Sequence, residues 1–163
     1  MSHTELTCRS EYVVMHDGVR LAVSTWIDND KDLNNEKHMN KRTAVLITTR
    51  YWRAMALKQD NPEFQPFYPL ASYLWSQGYV LVISDVRGTG ASFGCREIEI
   101  PLVETLDIGE LIDWVSRQVW CNGEVATSGI SYTANTTLHS LATGSSALKL
   151  GVCRAPDFDV YYH

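Results

Sequence analysis

The chain of 163 residues has no run of about 18 consecutive apolar residues, the length that a membrane-spanning helix needs. Its opening, MSHTELTCRSEYV, also lacks the basic segment and apolar stretch of a secretory leader. Positive charge is scarce: 14 Lys and Arg stand against 19 Asp and Glu, a formal net charge of −5. No segment interleaves basic residues with aromatics as a nucleic-acid surface does. Cysteine is sparse, and Cys8, Cys95, Cys121 and Cys153 form no C-x-x-C pair, with no histidine at zinc-finger spacing. These absences predict a soluble, cytoplasmic chain with reduced thiols, without a membrane or nucleic-acid partner, and with no metal or cofactor site.

What is present is globular. An apolar fraction of 45% with 20% charged residues excludes disorder over most of the length, and the length suits one domain with a real core. In EYVVMHDGVRLAVSTW, two β-rich runs flank His16-Asp17-Gly18, which predicts an antiparallel hairpin. Residues 29–42 are polar and read as a solvated loop. TAVLIT and YVLVISDV are nearly continuous apolar runs, the pattern of strands covered on both faces. Between them, Phe67, Leu70, Ala71 and Leu74 fall at helical spacing within residues 64–77, and Gly78 supplies the stop.

A second amphipathic helix is predicted from Ile108, Leu111, Ile112, Val115 and Val119. Glu124–Ser128 and LKLGVCRA add two short strands, with residues 132–142 as a helix between them. Strands alternating with helices after an opening hairpin imply an α/β fold with a mostly parallel sheet and helices on both faces. Sites in such sheets lie at the carboxyl ends of the strands. That rule singles out the turns holding Tyr51, Asp85 with Arg87, and Ser131.

Ser131, in GISYTAN, follows a strand and precedes a helix. Two readings fit: a helix cap whose hydroxyl accepts an orphan N–H, or a nucleophile raised above the sheet on a sharp turn. In the second, the Tyr132 backbone N–H faces a developing oxyanion at a helix N-terminus. Tyr51 is either a second oxyanion donor or a rim aromatic. The glycine-rich DVRGTGASFG lacks the Lys-Ser/Thr of a phosphate loop, and Gly88, Gly90 and Gly94 are spaced one residue too long for a dinucleotide fingerprint.

The histidines offer no evident base. His16 lies in the hairpin turn, His38 in the polar loop, His3 and His163 near the chain ends, and His139 two helical turns beyond Ser131, about 12 Å. Asp157 and Asp159, near the end of the last strand, read as pocket-lining or solvated.

Taken in order, HDGVRLAVSTW, RYW, ASYLWSQGYVLVISDVRGTGASFG and DIGELIDWVSRQVWCNGEVATSGISYTA resemble the cocaine-esterase and X-Pro dipeptidyl-peptidase-like serine hydrolases. The resemblance implies an α/β-hydrolase fold and ester or X-Pro peptide cleavage through an acyl-enzyme at Ser131. Tyr51 and the Tyr132 backbone N–H then make the oxyanion hole, and Asp85, Arg87 and Gly88 form a structural loop beside it. Ala134 stands where the family has glycine. No segment matches the family's later Asp and His, so residues 1–163 read as the amino-terminal part of one hydrolase domain, silent alone. Expected partners are a small ester or peptide substrate and either the missing carboxy-terminal half or a second copy. The competing reading is a non-catalytic hydrolase remnant that acts as a binding module.

Overall fold

The chain forms one six-stranded sheet, in the spatial order β1-β2-β4-β3-β5-β6, in a computed structural model that describes residues 6–28, 40–54 and 67–157. The strands are β1 (Leu6–Val14), β2 (Arg20–Asp28), β3 (Arg42–Thr49), β4 (Tyr79–Asp85), β5 (Cys121–Ile130) and β6 (Leu148–Arg154). The helices are α1 (Tyr68–Ser76), α2 (Leu102–Ser116) and α3 (Tyr132–Leu141). β1 and β2 pair antiparallel around Asp17-Gly18, β2 pairs antiparallel with β4, and β4, β3, β5 and β6 are mutually parallel. Gly18 turns the hairpin at φ +82°, where a side chain would be strained.

Two-sided burial explains the continuous apolar runs. Successive side chains of a strand point to opposite faces. Val80 and Val82 of β4 therefore join Leu21, Val23, Ala44, Leu46 and Val125 beneath Ile108, Leu111, Ile112 and Val115 of α2. Leu81 and Ile83 point the other way, against Trp26 and Ala71 of α1.

The clearest departures from the sequence reading are in α2, β5 and α1. α2 ends at Ser116, so Val119 falls beyond the helix and is exposed. β5 is longer at both ends than 124–128, because Gly123 lets the chain kink at φ +91° and still enter the ladder, where the register to β3 shifts. Leu70, placed at helical spacing, is 39% exposed because α1 buries only Ala71 fully. The polar loop at 29–39 and residues 64–66 lie outside the described residues.

One ion network fastens the sheet's rim. Arg87 grips Asp107 of α2 through two hydrogen bonds, Nε to Oδ2 at 2.7 Å and Nη2 to Oδ1 at 2.6 Å, and reaches Asp17 of the hairpin at 2.9 Å. Burial first, with the nearby Asp17 and Glu110 carboxylates, pushes the Asp107 carboxyl up against the opposing effect of Arg87; Asp107 and Asp17 in turn hold the guanidinium firmly charged. Removing one partner of a buried pair leaves an uncompensated charge. Arg87→Met is therefore expected to destabilise the fold by about 3–5 kcal/mol in urea denaturation, with partial recovery when Asp107→Asn is added. A loss under about 1 kcal/mol would show that the pair is not part of the framework.

Candidate active site

The carboxyl ends of β3, β4 and β5 bring Tyr51, Asp85 and Ser131 to one rim, as the parallel-sheet rule requires. Ser131 sits between β5 and α3 at φ +57°, ψ −128°, a conformation that non-glycine residues adopt only under constraint. Its hydroxyl makes no hydrogen bond to the first turn of α3, so it is not acting as a cap. Thr133, inside α3, ties the helix back to the strand: its hydroxyl accepts the Ile130 N–H at 2.7 Å and donates to the Ile130 carbonyl at 2.8 Å. The Ser131 N–H donates to the Arg154 carbonyl at 3.1 Å, and its carbonyl accepts the Ala134 and Asn135 N–H groups at 2.8 and 3.1 Å. The serine side chain is thus left exposed at the tip of the turn.

Gly129 makes this geometry possible. A Cβ on Gly129 would lie 2.1 Å from both the carbonyl carbon and the oxygen of Thr133, so the strand and the helix backbone touch directly. Ala134 is fully buried, and its N–H donates to the Ser131 carbonyl in the first turn of α3.

Tyr51 leaves β3 with its N–H on the Thr49 hydroxyl at 2.9 Å. Its ring meets that of Tyr132 edge-on, with centroids 6.0 Å apart. Interaction with the Ser131 hydroxyl is the main cause that lowers the Tyr51 pKa below the ordinary tyrosine value; Arg50 and the Tyr132 backbone act in the same direction, and burial opposes them. Tyr132 is the opposite case. Its phenol is buried and donates to Glu104, and burial first, then that carboxylate, push its pKa far up, so it stays protonated.

Asp85 explains the glycine-rich turn. The carboxylate is 2% exposed and accepts the Arg53 N–H at 2.7 Å and the Ala91 N–H at 3.0 Å. A Cβ on Gly90 would lie 2.3 Å from its Oδ2. The amides that a phosphate would use are folded around an internal carboxylate, and Gly88, at φ +69°, closes the same loop on the Phe93 carbonyl at 2.9 Å.

Neither described histidine serves Ser131: His139 Nδ1 pairs with the Thr105 hydroxyl at 2.8 Å, and His16 pairs with Glu110. His3, His38, His163 and Asp159 lie outside the described residues. Asp157 is exposed and clipped to α3: Asn135 Nδ2 donates to its Oδ2 at 2.9 Å, and its N–H donates to Asn135 Oδ1 at 2.8 Å. No group of His, Cys, Asp and Glu among the described residues forms a metal cluster.

Sequence reasoning missed Glu104, which is 1% exposed and also accepts from Arg96 Nε at 3.4 Å. A signal was available. Glu104 lies four residues before Ile108, on the inward stripe of α2, and a carboxylate on an apolar stripe demands a partner.

A sheet of this order with a serine on a strained strand-to-helix turn defines an α/β-hydrolase. The family model of the X-Pro dipeptidyl-peptidases (S15 family) matches residues 17–163, and the chain belongs to that family. It is 34% identical over 159 residues to a provisionally named serine esterase of Mycobacterium bovis, covering 92% of this chain and 24% of that protein. It is 32% identical over 151 residues to cocaine esterase of Rhodococcus sp., covering 91% and 23% respectively. An α-amino acid ester hydrolase structure superposes with a TM-score of 0.75 at 26% identity, over 97% of this chain and 26% of that one. The chain spans about a quarter of the length of the curated relatives it matches.

Gly129→Ala should destabilise the protein by about 3 kcal/mol or more, since an overpacked methyl meets backbone rather than a movable side chain. Gly144→Ala, with φ +69° but nothing within 4 Å, should cost only the backbone strain, about 1 kcal/mol. Urea midpoints that are equal for the two variants would contradict the close-approach account.

Proposed function

We propose that this protein is a serine hydrolase that cleaves small ester or X-Pro peptide bonds through an acyl-enzyme on Ser131. The observation that carries the reading is the exposed Ser131 at φ +57° on the turn between β5 and α3, with Tyr51 at the same rim and its ring 6.0 Å from that of the adjoining Tyr132. The family's relatives named as esterases support it. A hydroxyl cap on a helix would need neither the strain nor the convergence of donors.

In the proposed reaction, Ser131 Oγ attacks the substrate carbonyl carbon while its proton passes to a base. The carbonyl oxygen becomes an oxyanion that accepts from the Tyr132 N–H and the Tyr51 O–H. The tetrahedral intermediate then collapses, and the leaving group takes the proton and departs. Water attacks the acyl carbon by the same route and frees Ser131. The base and its carboxylate are not among the described residues. Residues 1–163 carry the nucleophile half of the machinery, and on this reading they are silent when expressed alone.

Further features of the reading concern surroundings. All four cysteines are free thiols, which suits a reducing cytoplasm. Among the described residues no helix is long and apolar enough to cross a membrane. β6 is an outer strand of the described sheet, with Leu150 and Val152 exposed, an edge suited to further strands of the same polypeptide or to a second copy.

The alternative, a remnant that only binds, draws on both described histidines being engaged elsewhere. Turnover of p-nitrophenyl esters and X-Pro anilides by the full-length protein separates the two. The hydrolase reading predicts that Ser131→Ala abolishes turnover and the acyl burst, and that Tyr51→Phe lowers kcat about 10²–10³-fold, the loss of one oxyanion donor. Turnover that survives Ser131→Ala would refute the assignment of the nucleophile, and an inert but well-folded protein would favour the binding module.

A further inference from the structure

Arg50 immediately precedes Tyr51 at the end of β3, with its side chain 33% exposed. Its guanidinium carbon lies 5.2 Å from the centroid of the Tyr51 ring and 4.6 Å from that of Tyr132, and it pairs with Glu99. Glu99 also holds Arg96, whose guanidinium lies 5.1 Å from the other contact point, the Tyr132 ring centroid. Arg96 reaches the buried Glu104, which accepts the Tyr132 phenol. Two arginines and two carboxylates therefore form a closed, neutral belt around the two tyrosines beside Ser131. The cations are held against the rings by their own ion pairs, and their orientation does not depend on substrate.

The belt answers a need of the oxyanion hole. A phenol has one proton to donate and lone pairs that accept. In the empty site the Arg50 guanidinium already lies 5.2 Å from the centroid of the Tyr51 ring, held there by Glu99. When a tetrahedral intermediate forms, the Ser131 oxygen is bonded to the acyl carbon and the Tyr132 N–H, fixed by the backbone, is engaged by the substrate oxyanion. Neither group is then available to orient the phenol, whose proton must point at the same oxyanion. Arg50 has no place on the substrate in this scheme, so it is the partner that stays.

We propose that Arg50 is a positioning residue: anchored by Glu99 and lying over Tyr132, its guanidinium donates into the Tyr51 phenolic oxygen and turns the phenol's own O–H toward the oxyanion. The inference rests on the reading of Ser131 and Tyr51 given above. A donor polarised by a neighbouring cation also makes a stronger bond to a developing negative charge. Among the described residues, the groups that face the phenol are Ser131, the Tyr132 backbone and Arg50, with Glu99 behind Arg50, and Arg96 and Glu104 beyond the Tyr132 ring. Hydrogen bonding by Ser131 and then by Arg50 lowers the Tyr51 pKa against the opposing effect of burial.

The sign of the pH effect follows. Only the protonated phenol donates, so turnover falls as pH rises through the Tyr51 pKa. Removing the Arg50 cation raises that pKa and moves the alkaline limb to higher pH, while turnover at neutral pH drops.

The experiment compares Arg50→Met and Arg50→Lys in the full-length protein, each with Tyr51 and with Tyr51→Phe. It reads two quantities: the alkaline limb of kcat for p-nitrophenyl acetate, and the titration of Tyr51 by NMR of ring-labelled tyrosine. Arg50→Met should cut kcat about tenfold at neutral pH, less than outright loss of a donor. The same change should raise both the limb and the Tyr51 titration midpoint, and Arg50→Lys should restore part of each. In the Tyr51→Phe background Arg50→Met should cost almost nothing further, since the two act as a unit. An unmoved Tyr51 titration overturns the proposal, and so does an undiminished Arg50→Met penalty on top of Tyr51→Phe. The NMR titration needs no turnover, so an inert wild type would refute the hydrolase reading while the Arg50–Tyr51 coupling is still measured.

Discussion

The site depends on one contact, the backbone of Gly129 lying directly against the backbone of Thr133. Because Gly129 has no Cβ, the Thr133 carbonyl of α3 can lie 2.1 Å from the position a methyl there would occupy. The chain can then reverse in a single residue and start α3. Ser131 is that residue, and its positive φ is the consequence. Such a conformation costs about 1–3 kcal/mol, so it persists only where surrounding bonds over-determine it. Here the Ser131 N–H is bound to Arg154 of β6, its carbonyl to the first turn of α3, and Thr133 closes the turn on Ile130. The strain lifts a hydroxyl out of the sheet instead of relaxing.

The rest of the rim is built from buried charge, which would be a poor source of stability but is a good source of position. Taking ions out of water costs several kcal/mol each and is offset only by well-formed partners. Asp85 draws the loop after β3 and the glycine-rich turn onto one carboxylate. Arg87 ties that turn to the hairpin and to α2, and Glu104 ties α2 to the elbow through Tyr132. Each tie joins segments distant in sequence at the place where Tyr51, Ser131 and Tyr132 must keep register. A hydrophobic core fills space but does not discriminate a shift of one ångström, whereas a bidentate ion pair does.

Much of this was legible from residues alone, for identifiable reasons. Asp17-Gly18 marks the hairpin because it satisfies a turn that few other pairs can, and YVLVISDV announces a strand covered on both faces because no polar residue interrupts it. Gly-x-Ser between a strand and a helix pointed at the elbow, yet the same letters describe a cap; only the backbone angles and the hydrogen bonds of Thr133 separate the two. The sequence pattern started β5 only at Glu124, because Gly123 kinks inside the strand without contributing a side chain to its apolar run. Val119 kept helical spacing after the helix had stopped. The Asn135–Asp157 clip and the Arg50–Glu99 pair join residues whose adjacency follows from strand order and loop path, and neither is encoded in local pattern.

The account stands or falls on Ser131 being reactive because of the fold that holds it. The most direct measurement is to treat the full-length protein with a serine-directed fluorophosphonate, native and in denaturant, and to locate the adduct by peptide mass spectrometry. The account predicts a single adduct on Ser131 that forms only in the native state. An adduct on another residue, or equal modification of Ser131 in the unfolded chain, would contradict it.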